Sequence, residues 1–226
     1  MAGAAQVIEL GRAERNKREK RERLIRAARE LFRTKGFAAT TTSEIAELAD
    51  VAKGTLFFHA GSKEELLVMM FQEDMGRTIE RAFAMIKGET FYDQMMYVFR
   101  AMIDQNRRDL ELARIFVKEL PFVKGDRHGV AATAQDFFDK MSLLIEEAKK
   151  RGEIIKDVDS RLLAHNLFAL HYVFTLLWLG SGEISPEGRS PSMGEILALE
   201  LKGFMKSPDR QRATGKTSKT RNQARS

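Results

Sequence analysis

The sequence predicts an all-α protein, in which a small N-terminal helical domain precedes a larger helical domain. Apolar residues recur at intervals of three and four along most of the chain, which is the period of an α-helix. Proline, which interrupts helices, occurs only 4 times in 226 residues. Hydrophobic residues make up 43% of the chain and charged residues 31%, a balance typical of globular rather than disordered proteins.

The first predicted helix begins near Lys17 and follows a flexible basic extension over residues 1–17. It carries one apolar stripe at helical spacing, formed by Leu24, Ala27, Ala28, Leu31 and Phe32. The helix ends at Lys35-Gly36, because glycine readily adopts the left-handed conformation that closes a helix C-terminus.

The segment after Gly36 predicts two short helices joined by a tight turn. Thr41 and Glu44 have the spacing of a capping box, and the helix they begin has Ile45, Leu48 and Ala49 on its inner face. Asp50 is one of the few residue types that tolerate a positive φ, so the turn is expected there.

Two small or apolar residues support a helix-turn-helix at this place. Ala46 is small enough for a second helix to cross the first closely, and Val51 can fill the space between the helices. The next helix has small, basic and hydroxylic residues at its leading end, which suits a helix that enters the major groove N-terminus first. Ser62 and Glu65 have the spacing of a further capping box, which predicts a long helix ending near Lys87.

The remainder of the chain reads as a helical domain with a polar tail. The predicted domains are a helix-turn-helix domain over residues 18–66, a helical domain over 67–206 and a disordered basic tail over 207–226. The predicted helices of the second domain are Thr90–Arg107, Leu110–Leu120, Val130–Arg151, Ser160–Gly180 and Met193–Met205.

Composition excludes several kinds of chemistry. The absence of cysteine excludes disulfides, thiolate catalysis and cysteine-ligated zinc. The 4 histidines show no HExxH spacing, and no glycine-rich phosphate loop or nucleophile elbow is present, so we expect no enzyme, no metal and no cofactor. No apolar run suggests a membrane span, and the N-terminal apolar residues precede the charges, opposite to a signal peptide. A cytoplasmic location is therefore expected.

Positive charge is concentrated at both ends of the chain. Residues 12–23 contain seven basic and three acidic residues, and residues 207–226 contain six basic residues against Asp209 alone. Such clusters indicate a polyanionic partner, although solvated tails would have the same composition.

Residues 23–67 resemble the DNA-binding domain of the TetR family of repressors. The resemblance lies in Lys35-Gly36-Phe37, Thr41-Thr42, Ile45-Ala46, Lys53-Gly54-Thr55-Leu56, His59 and Lys63-Glu64-Glu65-Leu66-Leu67. It departs from the family pattern at Asp50, where glycine is usual, and at Phe57-Phe58, where tyrosines or tryptophan are usual. The loss of a tyrosine hydroxyl at Phe57 implies one fewer phosphate contact, and the ring could contact a thymine methyl group instead.

The resemblance implies the set of DNA-contacting residues, for which capping, packing or solvation remain alternatives. Thr42 has hydroxyl and helix N-terminal N–H groups suited to phosphate, and Lys63 is an unusual cation in the first turn of a helix. The predicted DNA-binding residues are Thr42, Ser43, Lys53, Gly54, Thr55, Phe57, His59 and Lys63. The basic segment between Arg12 and Arg23 is expected to reach an adjacent groove or the backbone.

The second domain is rich in Phe and Met, which are first of all core residues but also suit an adaptable cavity. The resemblance implies an apolar small-molecule effector, contacted by Phe99, Met102, Phe116, Phe137, Met141, His171 and Tyr172. It also implies a homodimer interface formed by the last two helices through Leu162, Leu176, Leu197, Leu201 and Phe204.

The function expected is sequence-specific repression at a pseudo-palindromic operator, relieved by the effector. The alternatives are a DNA-binding regulator or nucleoid-associated protein without an effector, an enzyme that uses the helical domain, or a purely structural helical module.

Overall fold

The structure is a computed structural model that describes residues 2–122, 130–182, 184–186 and 191–205. Within those residues the chain forms helices and no strand, so the predicted all-α fold is confirmed. The helices are α1 (Ala2–Lys35), α2 (Thr42–Leu48), α3 (Lys53–His59), α4 (Lys63–Ala84), α5 (Phe91–Arg107), α6 (Leu110–Glu119), α7 (Val130–Arg151), α8 (Ser160–Gly180) and α9 (Met193–Leu201), with a 3₁₀ turn at Leu120–Phe122. The predicted tail over 207–226 lies outside the described residues.

Helix α1 is longer than the sequence predicted. It begins at Ala2 rather than near Lys17 and continues without interruption to Lys35. The added segment is rich in Ala, Glu, Gln, Leu and Arg, which favour helix even where no apolar stripe is visible. Gly36 follows with φ 83°, as predicted for the residue that ends the helix.

Several later helix ends also differ slightly from the prediction. Helices α7 and α8 have the predicted bounds, whereas α4 ends at Ala84 rather than near Lys87 and α9 ends at Leu201 rather than Met205. After α9 the chain pairs with the segment that follows α7. There the N–H of Ile155 donates to the Phe204 oxygen at 2.9 Å.

The described residues fall into two compact units. The N-terminal unit consists of the described parts of Met1–Arg77 and Gln105–Thr133, and the second unit of those of Thr78–Asp104 and Ala134–Ser226. The N-terminal unit therefore includes α6, whose Phe116 ring stacks on that of Phe71 in α4 with centroids 4.9 Å apart. The predicted functional boundary between residues 66 and 67 stays a prediction.

Two sets of ion pairs join α1 to α4 in the N-terminal unit. The Arg29 guanidinium makes two hydrogen bonds to the Asp74 carboxylate, of 2.6 and 3.1 Å. About two turns earlier on α1, Arg21 bonds Glu73 at 2.7 Å. These pairs flank the buried face of α1, which carries Leu24, Ala28 and Phe32. Bidentate arginine–carboxylate geometry fixes the direction of one helix relative to the other.

The second unit has an aromatic and methionine-rich core, as the sequence predicted. Its largest fully buried side chains are Phe91, Met95, Phe99, Met141, Ile145 and Phe174. Ring contacts link the helices, since Phe137 lies edge-on to Phe83 at 6.1 Å and to Phe168 at 5.4 Å.

Helix α8 is more apolar than we predicted from the sequence. It has 21 residues and a mean hydropathy of 1.5 over its most apolar window, which makes it long and apolar enough to cross a membrane. The expectation that no segment reaches this length was wrong. The apolar character belongs to two faces, because Leu163, Leu167 and Phe174 are buried, whereas Leu162 and Val173 are exposed. A core helix of a globular protein that has a second apolar face meets the same criteria.

Candidate nucleic-acid interface and effector site

The start of α2 is fixed by the predicted capping box. The Glu44 N–H donates to the Thr41 hydroxyl at 3.3 Å, and the Thr41 N–H donates to the Glu44 carboxylate at 2.9 Å. The Lys35 ammonium also bonds this carboxylate. The Lys35 hydrogen bond, followed by those of Thr41, lowers the pKa of Glu44 to about 2. The carboxylate therefore stays ionised and joins the end of α1 to the start of α2.

The turn between α2 and α3 has the predicted geometry. Asp50 has a φ of 50°, and its N–H donates to the Glu47 oxygen at 3.0 Å. The Val51 N–H donates to the Ala46 oxygen, also at 3.0 Å. This pair of bonds is the Schellman arrangement, which ends one helix and redirects the chain into the next. Ala46 is buried, which agrees with a close helix crossing at that position.

Helix α3 buries Leu56 and His59 and exposes most of its leading end. Leu56 is fully buried, whereas Lys53 and Gly54 are exposed and Thr55 is half-buried. The N-cap residue is Ala52, whose side chain has no polar atom, so no side chain at this position caps the start of α3. The exposed leading end therefore carries a cation and a hydroxyl group, as the sequence predicted.

Two aromatic side chains extend the exposed surface of α3. Phe57 is 44% exposed and Phe58 is 68% exposed. Large exposed apolar rings usually mark a binding surface. Phe58 was absent from the predicted contact set, although its position next to Phe57 could have indicated it. Leu48 of α2 is also exposed, at 47%, so its predicted place on the inner face is wrong.

A groove of about 1070 Å³ separates the N-terminal part of α1 from α3. Its lining combines basic and aromatic side chains, among them Arg15, Lys17, Arg18, Arg21, Phe57 and Phe58. The Lys17 ammonium lies 6.0 Å from the centroid of the Phe58 ring. The basic segment predicted from charge alone thus lies beside α3.

The structure gives Lys63 an internal role. Its ammonium donates to the carbonyl oxygens of Phe37, Ala38 and Thr40 at 2.9, 3.1 and 3.1 Å. It also lies 4.6 Å from the centroid of the Phe37 ring. A lysine ammonium has three donors, and these carbonyls use all of them. This geometry favours a structural role over the predicted phosphate contact.

The other predicted DNA-binding residues are distributed unevenly. Ser43 is exposed and Thr42 is half-buried on the first turn of α2. His59, by contrast, is only 8% exposed, and its ring meets Phe58 edge-on at 5.4 Å. Burial of His59 leaves little of its ring for a phosphate. At the predicted second capping box the Glu65 N–H donates to the Ser62 hydroxyl at 3.2 Å, and the Glu65 carboxylate accepts from the Gly61 N–H at 2.8 Å.

Six of the seven predicted effector residues belong to the second unit. Phe99, Met102, Phe137, Met141 and His171 are buried and Tyr172 is half-buried. Phe168 lies over the Tyr172 ring, and burial raises the pKa of Tyr172. The seventh residue, Phe116, belongs to the N-terminal unit, where it packs on Phe71.

His171 is the most unusual polar residue of this set. Its ring lies 4.6 Å from that of Phe99, and it forms a hydrogen bond with the Phe99 backbone. Complete burial lowers the pKa of His171 to about 4, so the imidazole is neutral at physiological pH. Its Nε2 atom and the Oγ1 atom of Thr175 have no hydrogen-bond partner among the described residues. Thr175 was absent from the predicted set.

The described residues hold no group of three or more His, Asp or Glu side chains that could bind a metal ion. What this part of the chain presents is a helix-turn-helix with a basic, partly aromatic surface, followed by a helical unit with an apolar interior. These features define a DNA-binding transcriptional regulator with a helical sensing domain.

Comparison with known proteins places the chain within one class of such regulators. The sequence profile of the bacterial regulatory proteins of the tetR family matches residues 24–70, which contain α2 and α3. The chain is 28% identical to the fatty acid metabolism regulator protein of Bacillus subtilis over 156 residues, covering 68% of this chain and 80% of that protein. It is 26% identical to the regulator UidR of Escherichia coli, with 67% and 78% covered.

A solved structure is similar to the chain over most of its length. The chain is similar to the TetR-family repressor FadR of Thermus thermophilus in complex with lauroyl-CoA, with a TM-score of 0.60 and 26% identity, covering 80% of this chain and 91% of that one. The helix-turn-helix domain at residues 24–70 therefore belongs to the TetR family of bacterial regulatory proteins, and longer alignments with transcriptional regulators extend the similarity beyond it. The resemblance that the sequence indicated is thereby confirmed.

Proposed function

We propose that the protein is a cytoplasmic homodimeric repressor that occupies a pseudo-palindromic operator and is released by a long-chain acyl compound. The observation that carries the DNA-binding part is the exposed leading end of α3, held by the Asp50 turn beside a basic groove. A two-fold dimer presents two such helices, so each half-site is contacted in the major groove by one of them.

We chose the proposed DNA contacts by the exposure of each side chain on α2 and α3. Lys53 and Thr55 reach base edges or phosphates, Gly54 allows close approach of the backbone, and Phe57 contacts a thymine methyl group. Thr42 and Ser43 contact phosphate at the start of α2. Phe58 joins this surface, whereas Lys63 and His59 support it from within.

The N-terminal part of α1 adds electrostatic affinity. Arg15, Lys17 and Arg18 line the groove next to α3, and no ion pair with another helix is seen for these three among the described residues. Lys17 pairs with Glu14 and Arg18 with Glu22, and both glutamates lie on α1 itself and are more than half exposed. Such weak pairs exchange readily for phosphate contacts, and each phosphate neutralised steepens the log–log salt dependence by about 0.9.

A second apolar face of α8 and α9 supports the homodimer. Leu162, Val173, Leu176 and Leu177 of α8 are 40–70% exposed, and Leu199 of α9 is 70% exposed. Leu176 and Leu177 follow Val173 by three and four residues, and Leu162 precedes it by eleven, about three turns, so these residues of α8 lie on one face. Two of the residues predicted for the interface, Leu197 and Leu201, are instead buried inside the protomer at 1% exposure. We assign the interface to the exposed stripe.

The effector class rests on the apolar interior of the second unit and on two relatives. One relative is named a fatty acid metabolism regulator, and another was solved with lauroyl-CoA. These two relatives are about as similar to the chain as its other relatives are. The Phe- and Met-rich interior of the second unit is what favours them as guides to the effector, because it suits the same class of ligand. A long acyl chain would lie among Phe99, Met102 and Met141.

Release of DNA by an acyl compound tests this function. An operator duplex labelled with a fluorophore is bound by the purified protein and titrated with lauroyl-CoA, with coenzyme A alone as the control. We expect a fall in anisotropy with lauroyl-CoA and none with coenzyme A. DNA binding that neither this compound nor shorter and longer acyl-CoAs weaken would indicate a regulator or nucleoid-associated protein without such an effector.

A further inference from the structure

Helix α8 contains two buried polar atoms for which the described part of the chain offers no hydrogen-bond partner. The side chains of His171 and Thr175 are each 3% exposed, and the His171 Nε2 and Thr175 Oγ1 atoms have no hydrogen-bond partner among the described residues. A buried threonine inside a helix ordinarily donates to the carbonyl oxygen four residues earlier, as Ser142 does to Phe138 at 2.7 Å. Thr175 makes no such bond. Unpartnered buried polar groups are rare, because each loses its hydration without compensation.

Helix geometry places the two side chains on one face of α8. Residues four apart on a helix project from the same face, with Cβ atoms roughly 5–6 Å apart. A single oxygen atom can therefore lie within hydrogen-bond distance of both side chains. The ring of His171 is held in place by its contact with the Phe99 ring and its bond to the Phe99 backbone.

Their chemistry specifies the group they would bind. Because Nε2 is the unpartnered nitrogen, the bond to the Phe99 backbone comes from Nδ1–H. Nε2 is then a lone-pair acceptor that requires a donor, and the Thr175 hydroxyl can donate in turn. A ligand hydroxyl provides both functions, since it donates to Nε2 and accepts from Oγ1. A thioester or ether oxygen only accepts, so it would leave Nε2 without a partner.

We propose that His171 and Thr175 bind a hydroxyl group of the effector, so that the preferred effector is a long-chain acyl compound that carries a hydroxyl group on its aliphatic chain. This inference rests on the proposed function, in which an apolar compound enters the second unit. An ionised carboxylate is disfavoured there, because a neutral imidazole and one hydroxyl cannot replace its hydration among Phe and Met side chains. The unsubstituted acyl chain of lauroyl-CoA would use Thr175 at most.

The test compares two probes with the same alkyl chain, of which only one can donate a hydrogen bond and the other has a methyl group in place of the hydroxyl hydrogen. Binding of 1-dodecanol and of dodecyl methyl ether is measured by calorimetry with the full-length protein. The wild type is expected to bind the alcohol about tenfold more tightly, which corresponds to one satisfied buried hydrogen bond. The alcohol is suitable because its terminal hydroxyl is not constrained by a bulky head group.

Two substitutions separate the contribution of His171 from that of Thr175. In His171→Phe the ring contact with Phe99 can be retained and only the alcohol should weaken, to the affinity of the ether. In Thr175→Val, which preserves shape, both compounds should weaken by a similar factor and the preference for the alcohol should remain. Ser142→Ala removes a satisfied hydroxyl on α7 and should change neither affinity. A thermal melt of each variant establishes that it is folded, and Thr175→Val still tests the site if His171→Phe does not fold.

Equal binding of the alcohol and the ether by the wild type would overturn the proposal, because it would mean that a buried water satisfies both atoms. Persistence of the preference in His171→Phe would overturn it as well. If neither compound binds, the hydroxyl site is wrong, and release of DNA by lauroyl-CoA then decides separately whether the proposed function stands.

Discussion

The ammonium of Lys63 lies 4.6 Å from the centre of the Phe37 ring and donates to the Phe37 carbonyl oxygen at 2.9 Å. Together with bonds to Ala38 and Thr40, this contact ties the first turn of α4 to the segment between α1 and α2. A residue that looks like a phosphate ligand in the sequence is therefore a structural support of the helix-turn-helix.

Lys63 and Lys53 should respond differently to the same substitution. We expect Lys63→Met to lower the free energy of unfolding by about 2 kcal/mol, because three carbonyl oxygens, two of them in half-buried hydrogen bonds, lose a charged donor. The slope of DNA affinity against salt should not change. Lys53→Met, at an exposed position, should leave stability unchanged and reduce that slope by about 0.9 if Lys53 contacts phosphate.

Denaturant unfolding and salt-dependent DNA binding of both variants provide the measurement. A normal stability for Lys63→Met together with a reduced salt slope would restore the phosphate contact and contradict the structural role.

Gly54 should be needed for DNA binding but not for folding. A Cβ atom placed at Gly54 would meet nothing within 4 Å. Glycine inside a helix costs about 1 kcal/mol relative to alanine, so Gly54→Ala should stabilise α3 by roughly that amount. We expect it to weaken DNA binding at the same time, because the added methyl group faces the nucleic acid.

Gly76→Ala is the control outside this surface, since Gly76 lies inside α4 and a Cβ there would meet only the Thr133 methyl group, at an ordinary 3.6 Å. Its effect on DNA affinity should be small. Unchanged operator affinity in Gly54→Ala would show that the leading end of α3 does not approach the DNA.

The exposed stripe of α8 should control the oligomeric state. Val173→Asp places a charge in the proposed interface, where Val173 is 51% exposed in the protomer, and should convert the dimer to monomers. Leu143→Asp introduces the same charge at a residue of α7 that is 66% exposed and outside the stripe. Sedimentation should show a monomer for the first variant and a dimer for the second, and a dimer for both would place the interface elsewhere.

Acid should destabilise the protein through His171. Its folded-state pKa of about 4 lies below the ordinary value of 6.5, so the unfolded chain binds the proton more readily. Neutral His171 therefore contributes stability fully above pH 6.5, and the contribution falls as the pH drops from 6.5 towards 4, by roughly 3 kcal/mol in total. His171→Phe should lose less stability than the wild type over this range in denaturant titrations at several pH values. Parallel pH profiles of the two proteins would contradict neutral burial.

Local signals in the sequence predicted the framework of the helix-turn-helix. The Thr41–Glu44 capping box, the positive φ of Asp50 and the helix end at Gly36 depend on residues within a few positions of each other. Periodicity likewise predicted α7 and α8 with their observed bounds, because each carries a long apolar face.

Long-range packing determined the features that the sequence did not predict. Whether Lys63 faces DNA or three carbonyls depends on where α4 meets the residues after α1, which are more than twenty positions away. The burial of Leu197 and the exposure of Leu199 depend on how α9 packs, since both lie on one apolar helix with little contrast between its faces. The orphaned Thr175 hydroxyl has no sequence signal, because threonine inside a helix is usually satisfied locally.

Selection of duplexes from a random-sequence pool by the wild type and by Lys53→Ala tests the central claim most directly. The account predicts that the wild type enriches one pseudo-palindromic sequence, binds it with a Kd of roughly 10⁻⁸ M or tighter, and releases it on addition of lauroyl-CoA. Lys53→Ala should fail to enrich that sequence at the same salt concentration. Failure of the wild type to enrich any duplex at low salt, or enrichment of the same sequence with equal affinity by Lys53→Ala, would contradict the account.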